Sequence, residues 1–280
     1  MITYNPKSWW GLIFKFHKSD TFRRLLPNML TIGLYTVGVV YLHREVFPGY
    51  LQQTSVVHSL LGFVISLLLV FRTNTAYERW WEGRRFWGQV TNTSRNLALK
   101  LNAYLAEDHP SRDFLSNTIT DFAATLKEHL RDSDQTASEL DQITHGPNAI
   151  SAKLFNHIEQ LRRQGDLNRE HILTLNPDLS ALADICGGCE RIKKTPIPYS
   201  YNLFIKKFIF AYIVAMPFMF APEFGYWAAL FVTFMFYVLG SLEILAEEVE
   251  NPFGTDSNDL PTDDIAANIK RNVQEILTRK

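Results

Sequence analysis

Two cysteines, Cys186 and Cys189, stand in the sequence "CGGC" and are the only thiols of the chain. A C-x-x-C pair supplies two thiolates, but a zinc site needs two further ligands, and nothing nearby in the sequence offers them. A redox pair wants a strand-to-helix setting, whereas these cysteines fall in a predicted helix, so free reduced thiols are expected. His58 is the only ionisable side chain in residues 51–71. Such a group inside an apolar helix faces either a water-filled path or a partner, and a neutral histidine bonded to an adjacent helix is the usual arrangement. No nucleophile stands with a base, no glycine loop suits a phosphate and no metal set is complete, so the sequence is not that of an enzyme. Inverted repeats of an alternating-access transporter are also not evident.

The elements that would hold these residues are set by a lopsided distribution of charge. With 280 residues, a net charge of −1 and 46% hydrophobic residues, the chain is neither disordered nor basic enough for a nucleic-acid binder. Residues 25–42, 51–71, 208–222 and 224–242 carry no Asp, Glu, Lys or Arg except Glu223, which lies between the last two runs. A bilayer core of ~30 Å takes roughly 20 apolar helical residues, fewer with interfacial flanks. We expect four transmembrane helices in two hairpins, divided by a soluble helical insert. Lysines and arginines gather before the first run, after the second and before the third, while the hairpin tips are nearly bare, with Arg44 in one and Glu223 in the other. This puts both termini and the insert in the cytoplasm. The N-terminus has no signal-peptide core; Trp9, Trp10, Phe14 and Phe16 read as an amphipathic helix in the membrane interface. The expected organisation is an interfacial helix over 1–24, a membrane hairpin over 25–71, a cytoplasmic helical region over 72–198, a second hairpin over 199–246 and a cytoplasmic loop and helix over 247–280.

The insert reads as helix throughout. Leu115, Ile119, Phe122, Leu126 and Leu130 recur at three- and four-residue intervals, as do Leu154, Ile158 and Leu161, and then Leu179, Leu182 and Ile185. "NPDLS" suits a helix start, with Asn176 as cap and Pro177 in the first turn. "SDQTASELDQITHGPN" reads as a loop. The stripe Ile265, Ile269, Val273 and Ile276 predicts a C-terminal helix packed on the insert or on a neighbouring subunit, with Asp263 and Asp264 at its positive end. No stretch alternates as a half-buried strand would, so the expected fold class is an all-α membrane protein.

"FRTNTAYERWWEGRRFWGQV" follows the second apolar run and packs four arginines and three tryptophans into 20 residues. At a membrane boundary this composition suits Arg72, Arg79 and their neighbours at the headgroups, with the rings beside them. The helical pattern continues past this point, and Glu78 and Glu82 are spaced to pair with Arg79, Arg85 or other helices.

"RWWEGRRFWG", with the later "CGGCERIKKTPIPYSY" and "AEEVENPFGTDSNDLP", resembles the bestrophin family, specifically its bacterial members, in order and over nearly the whole chain. The resemblance implies a homopentameric ion channel with one axial pore, lined by the second transmembrane helix. The neck of that family is made by three large apolar side chains one turn apart. Matching Arg79 and Trp80 to the family places them at Phe63, Leu67 and Phe71, on one helix face. A narrow apolar tube dewets, and an ion entering it loses hydration without a replacement ligand. Leu67 stands where the family commonly has Ile or Phe. The family's second constriction at the cytoplasmic exit falls near Leu182 or Ile185.

The resemblance also matches "ENPFGTDSNDLP" to a calcium-gripping loop, through Asp256, Asp259 and the Asn251 carbonyl. Thr255, Ser257 and Asn258 interrupt what is an acidic run in the animal channels, so a structural loop is favoured over a calcium site, and any calcium or other divalent ion would bind weakly. No cofactor is required. The implied setting is a bacterial inner membrane, with lipids, inorganic ions and copies of the same chain as partners and no nucleic acid. Glu243, Glu247, Glu248 and Glu250 would enrich cations and predict a preference for monovalent cations. The alternative class is a membrane scaffold or lipid-binding protein whose working surface is the arginine and tryptophan belt.

Overall fold

The computed structural model describes residues 20–47, 55–131 and 145–278. Residues 1–19 of the interfacial helix expected over 1–24 and residues 133–144 of the expected loop lie outside the described residues, while residues 20–24 belong to the first described helix. Among the described residues there are eight α-helices and no strand: α1 (Asp20–Tyr41), α2 (Ser55–Tyr104), α3 (Ser111–Arg131), α4 (Gly146–Gln164), α5 (Arg169–Lys194), α6 (Tyr199–Phe224), α7 (Ala228–Glu250) and α8 (Thr262–Leu277). The chain falls into two compact units, one of Arg79–Thr195 with Asn251–Lys280, the other of Ile2–Glu78 with Pro196–Glu250.

Among the described residues three stretches are long and apolar enough to cross a membrane: Thr21–Val46, Val56–Tyr104 and Tyr199–Glu250. The last holds both α6 and α7, of 26 and 23 residues, each ~35–39 Å long at ~1.5 Å per residue. In this unit α1 packs on α6 and α7, and these two pack on each other. Ile65 and Leu69 of α2 join Ile205, Ile209, Ile213, Met216, Val232 and Leu239 in one buried cluster. Gly62 makes room here: a Cβ at this position would lie 2.7 Å from Tyr212 Oη. The turn between α6 and α7 depends on Gly225, whose φ of +53° suits glycine and against which the Arg44 guanidinium lies. Arg44 also sits over the Tyr226 ring at 5.5 Å, so the two hairpin ends are held together by a cation on an aromatic face.

The other unit is a helical bundle. α3 packs on α4, α5 and α8, and α4 packs on α5. The predicted apolar stripes supply its core: Leu115, Ile119, Phe122, Leu126 and Leu130 are all buried, as are Leu154, Ile158 and Leu161. Ile269 and Val273 are buried and Ile265 and Ile276 partly so, which seats α8 against this bundle. Gly188 allows α5 to approach Phe86, whose ring leaves no space for a Cβ there. One buried arginine closes two helix ends: Arg112 donates to Leu277 O at 2.9 Å, to Leu105 O at 2.9 Å and to Ala106 O at 3.1 Å, with Asn102 as a further partner. These carbonyls lie at or just past the ends of α8 and α2, where the helical amides run out, and a charged donor meets that need; Ala106 O also accepts from His109 N at 3.1 Å.

The helix expected to begin at Asn176 begins earlier. Asn168 caps α5 by accepting from His171 N at 2.8 Å, and His171 Nδ1 reaches back to the Asn168 amide at 3.4 Å, a reciprocal cap. Pro177 therefore lies inside α5. Beside this interruption Lys100 donates to Thr174 O at 2.8 Å and to Asp178 Oδ2 at 2.6 Å.

Candidate functional site

The stripe of large apolar residues on α2 begins with geometry. Residues four apart on a helix fall within ~40° of each other, and residues two apart fall on nearly opposite sides. Phe63, Leu67 and Phe71 are 68%, 46% and 56% exposed, whereas Ile65 and Leu69 are 2% and 3% exposed. One face of the helix is therefore packed inside this chain and the other carries the three side chains outward. Val56, Leu60 and Val64 are exposed on the adjoining surface.

The rotation of α2 is fixed by a residue for which the sequence suggested another place. Arg72, next to Phe71, is buried, not at a lipid headgroup. Its Nη2 donates to Glu250 Oε2 at 2.8 Å and its Nε lies 3.9 Å from Glu243 Oε2. Glu250 Oε1 in turn accepts from Ile197 N at 2.7 Å. A buried guanidinium with carboxylate partners cannot turn outward without stranding them, so the face bearing Phe63, Leu67 and Phe71 cannot turn inward. The signal available in sequence was an arginine at the end of an apolar run together with acids at the end of another.

The remaining arginines and tryptophans of the motif also make internal structure. Arg79 donates to Ile192 O and Thr195 O, each at 2.5 Å, and so closes the C-terminal end of α5. Trp80 Nε1 donates to Asn258 O at 3.0 Å, Arg191 pairs with Glu82, and Gly83 packs beneath Phe253 and Pro252. Trp87 is fully buried. The belt expected at the headgroups is thus largely spent on tying α2 to α5 and to the loop before α8, although Trp81, Arg84 and Arg85 remain exposed.

Other expected sites fare differently. Leu182 and Ile185 are 1% and 3% exposed and belong to the bundle core of this chain. The large apolar side chain exposed on α5 is Leu173. Asp259 is buried and its Oδ2 accepts from Asp256 N at 2.6 Å, while Asp259 N donates to Asp256 O at 3.1 Å and Leu260 N to Pro252 O at 2.9 Å. Asp256 and Asn251 are exposed. One carboxylate of the expected metal set is thus engaged in shaping its own loop.

The hydrogen bond expected from His58 to an adjacent helix is not made through Nε2; instead its ring stacks on Tyr212 with centroids 4.2 Å apart and planes at 7°. Cys186 and Cys189 are buried and free. Burial pushes the Cys186 thiol up to about 12 and Cys189 higher still, with Glu190 adding to both, so neither is a ready thiolate.

The acids behind the expected cation preference have cationic partners. Glu250 and Glu243 face Arg72, Glu248 lies 3.5 Å from Arg24, and Glu247 lies 3.5 Å from Lys206. Each acid thus lies beside a cation, four carboxylates to three bases, and the case for enriching cations is weakened.

A helical bundle joined in sequence to long apolar helices with exposed apolar faces defines a membrane protein. Residues 1–275 match the model of the bacterial and fungal bestrophin proteins, and the chain belongs to that family. A voltage-dependent anion channel-forming protein of Nostoc is 31% identical over 291 residues, covering 98% of this chain and 94% of the relative. The protein of the same description, YneE, from Escherichia coli is 30% identical over 280 residues, covering 95% and 90%. A bacterial bestrophin homologue from Klebsiella pneumoniae has a TM-score of 0.83 at 28% identity, over 91% of this chain and 99% of that one. The chain is thus a member of an ion-channel family in the membrane, not of an enzyme family.

Proposed function

We propose that five copies of this chain form a passive ion channel whose axial neck is built from Phe63, Leu67 and Phe71. The observation that carries the reading is the outward stripe of these three side chains on a helix whose opposite face is held by Ile65, Leu69 and the Arg72–Glu250 pair. Three successive collars, each one turn from the next, would strip hydration from an ion without supplying ligands. Four membrane crossings serve this assembly, by α1, the first part of α2, α6 and α7, in hairpins over 25–71 and 199–246. The regions 72–198 and 247–280, with both termini, lie in the cytoplasm of a bacterium whose inner membrane holds the channel.

An apolar neck sets no sign of charge. The relatives are named as anion channel-forming proteins, and with the carboxylates of α7 mostly offset by Arg24, Arg72 and Lys206 we take anions as the conducted species. Leu173, outward on α5, is the better candidate for a cytoplasmic constriction than Leu182 or Ile185. The loop holding Asn251, Asp256 and Asp259 is read as structural.

The test is Leu67→Ala in planar bilayers. Single-channel conductance rises if Leu67 narrows the path; unchanged conductance from a variant that still assembles removes the neck.

A further inference from the structure

Three helices of the bundle bring together side chains that nothing in the channel reading uses. His129 is in the last turn of α3, His145 precedes α4, and Glu190 is in α5. His129 Nε2 lies 2.6 Å from Glu190 Oε1 and His145 Nε2 lies 2.7 Å from the same oxygen. The ligand atoms of all three lie within 4.8 Å of one another, and each side chain is partly buried, between 20% and 33% exposed. The two imidazole rings stand 4.5 Å apart.

We infer that His129, His145 and Glu190 form a binding site for a divalent transition-metal ion, zinc by its ligand chemistry, that clamps α3, α4 and α5. Two imidazole nitrogens and one carboxylate oxygen, with room for water, are the donor set zinc takes in open sites; calcium and magnesium prefer oxygen alone. A tetrahedral zinc holds its ligands at about 2.1 Å, which sets them about 3.4 Å apart. The two nitrogens now sit closer than that to Oε1, so a small outward shift of each ring admits the ion. Lys194 lies 3.6 Å from Glu190 Oε2, which leaves Oε1 to the histidines. Neither cysteine belongs to the cluster.

The proton positions are dictated by the neighbours. His145 Nδ1 accepts from Asn148 N at 3.2 Å and caps α4, so in the metal-free protein its proton is on Nε2, facing Glu190. When zinc takes Nε2, that proton moves to Nδ1 and the Asn148 amide loses its acceptor. Metal binding thus exchanges one helix cap for a bond that joins three helices.

The full chain, purified in detergent without a histidine tag and stripped with chelator, is dialysed against zinc chloride and its bound zinc counted by mass spectrometry. The wild type retains one more zinc per chain than Glu190→Gln or His129→Gln. Calorimetry gives a site weaker in these variants by at least about 100-fold, since even outer partners of metal ligands are worth roughly 10- to 100-fold. His145→Asn keeps a capping acceptor but removes Nε2; it loses the same zinc with the bundle intact by circular dichroism, which covers the case of a variant that fails to fold. Zinc also raises the melting temperature of the wild type and not of His145→Asn. Equal zinc retention by wild type and His145→Asn, or none by either, overturns the site.

Discussion

Arg72 donates to Glu250 at 2.8 Å from a position only 1% exposed, one residue beyond Phe71. The pair joins α2 to α7 within the apolar unit and sets which face of α2 looks outward. Removing one partner of a buried ion pair costs about 3–5 kcal/mol because the other is left charged without compensation. Arg72→Ala should therefore lower the thermal midpoint in detergent by about 6–20 °C, at about 2–4 °C per kcal/mol for a chain of this size, or abolish assembly. Glu250→Gln should be milder, since an amide oxygen still accepts from Ile197. A variant Arg72→Ala that melts with the wild type would show that the pair does not hold the helix.

Reversal potential reads the sign of the conducted ion. Under a chloride gradient the current should reverse near the chloride equilibrium potential. A reversal toward the cation potential would restore the cation preference that the acids of α7 first suggested.

Gly225→Ala should destabilise the protein by roughly 1–3 kcal/mol through backbone strain alone. Its φ is +53°, and a Cβ would come 2.1 Å from Arg44 Nη2, displacing the guanidinium from Tyr226. Gly38→Ala is the control, because nothing lies within 4 Å of a Cβ at that helical position. There alanine should be neutral or stabilising by up to ~1 kcal/mol. Equal melting of the two variants would refute the account of the turn.

Asp263 gives a pH dependence of known sign. Hydrogen bonds from Arg131 and then Lys127 hold its carboxyl down from 3.8 to about 2. A carboxyl lowered on folding stabilises above its unfolded value, and that contribution fades as pH falls from about 4 through about 2. Asp263 is 61% exposed, so the contribution is under ~1 kcal/mol. Unfolding of the wild type and Asp263→Asn by denaturant should differ at pH 5 and converge toward pH 2. A gap that widens at low pH would contradict the pairing.

Cys186 and Cys189 should resist thiol reagents. Buried thiols with raised pKa values present little thiolate at pH 8, so Ellman's reagent should titrate neither within minutes in the native protein and both after denaturation. Rapid reaction of the folded chain would mean that this part of α5 opens.

Much of the architecture was legible because its signals are local. The three- and four-residue recurrence of Leu115, Ile119 and Phe122 marks a buried helical face wherever the helix lies, and charge-free runs announce a lipid environment by length alone. Pro177 misled for a local reason too: it suits a first turn, but the reciprocal cap between Asn168 and His171 starts α5 eight residues sooner. Leu182 and Ile185 show the limit of periodicity, which finds an apolar face without naming what it meets; here it meets the bundle core.

What the sequence by itself determined was the helical class, the apolar segments and, through three ordered motifs, the family. Those properties depend on neighbours along the chain, where spacing and composition carry the information. Only the tertiary structure decided that Arg72 is buried against Glu250 and that Phe63, Leu67 and Phe71 therefore point outward. It also brought Glu190 to His129 and His145, which lie 61 and 45 positions away. Distances of a few ångströms between residues so far apart in sequence are set by how helices pack, and helix packing depends on side chains from several segments at once.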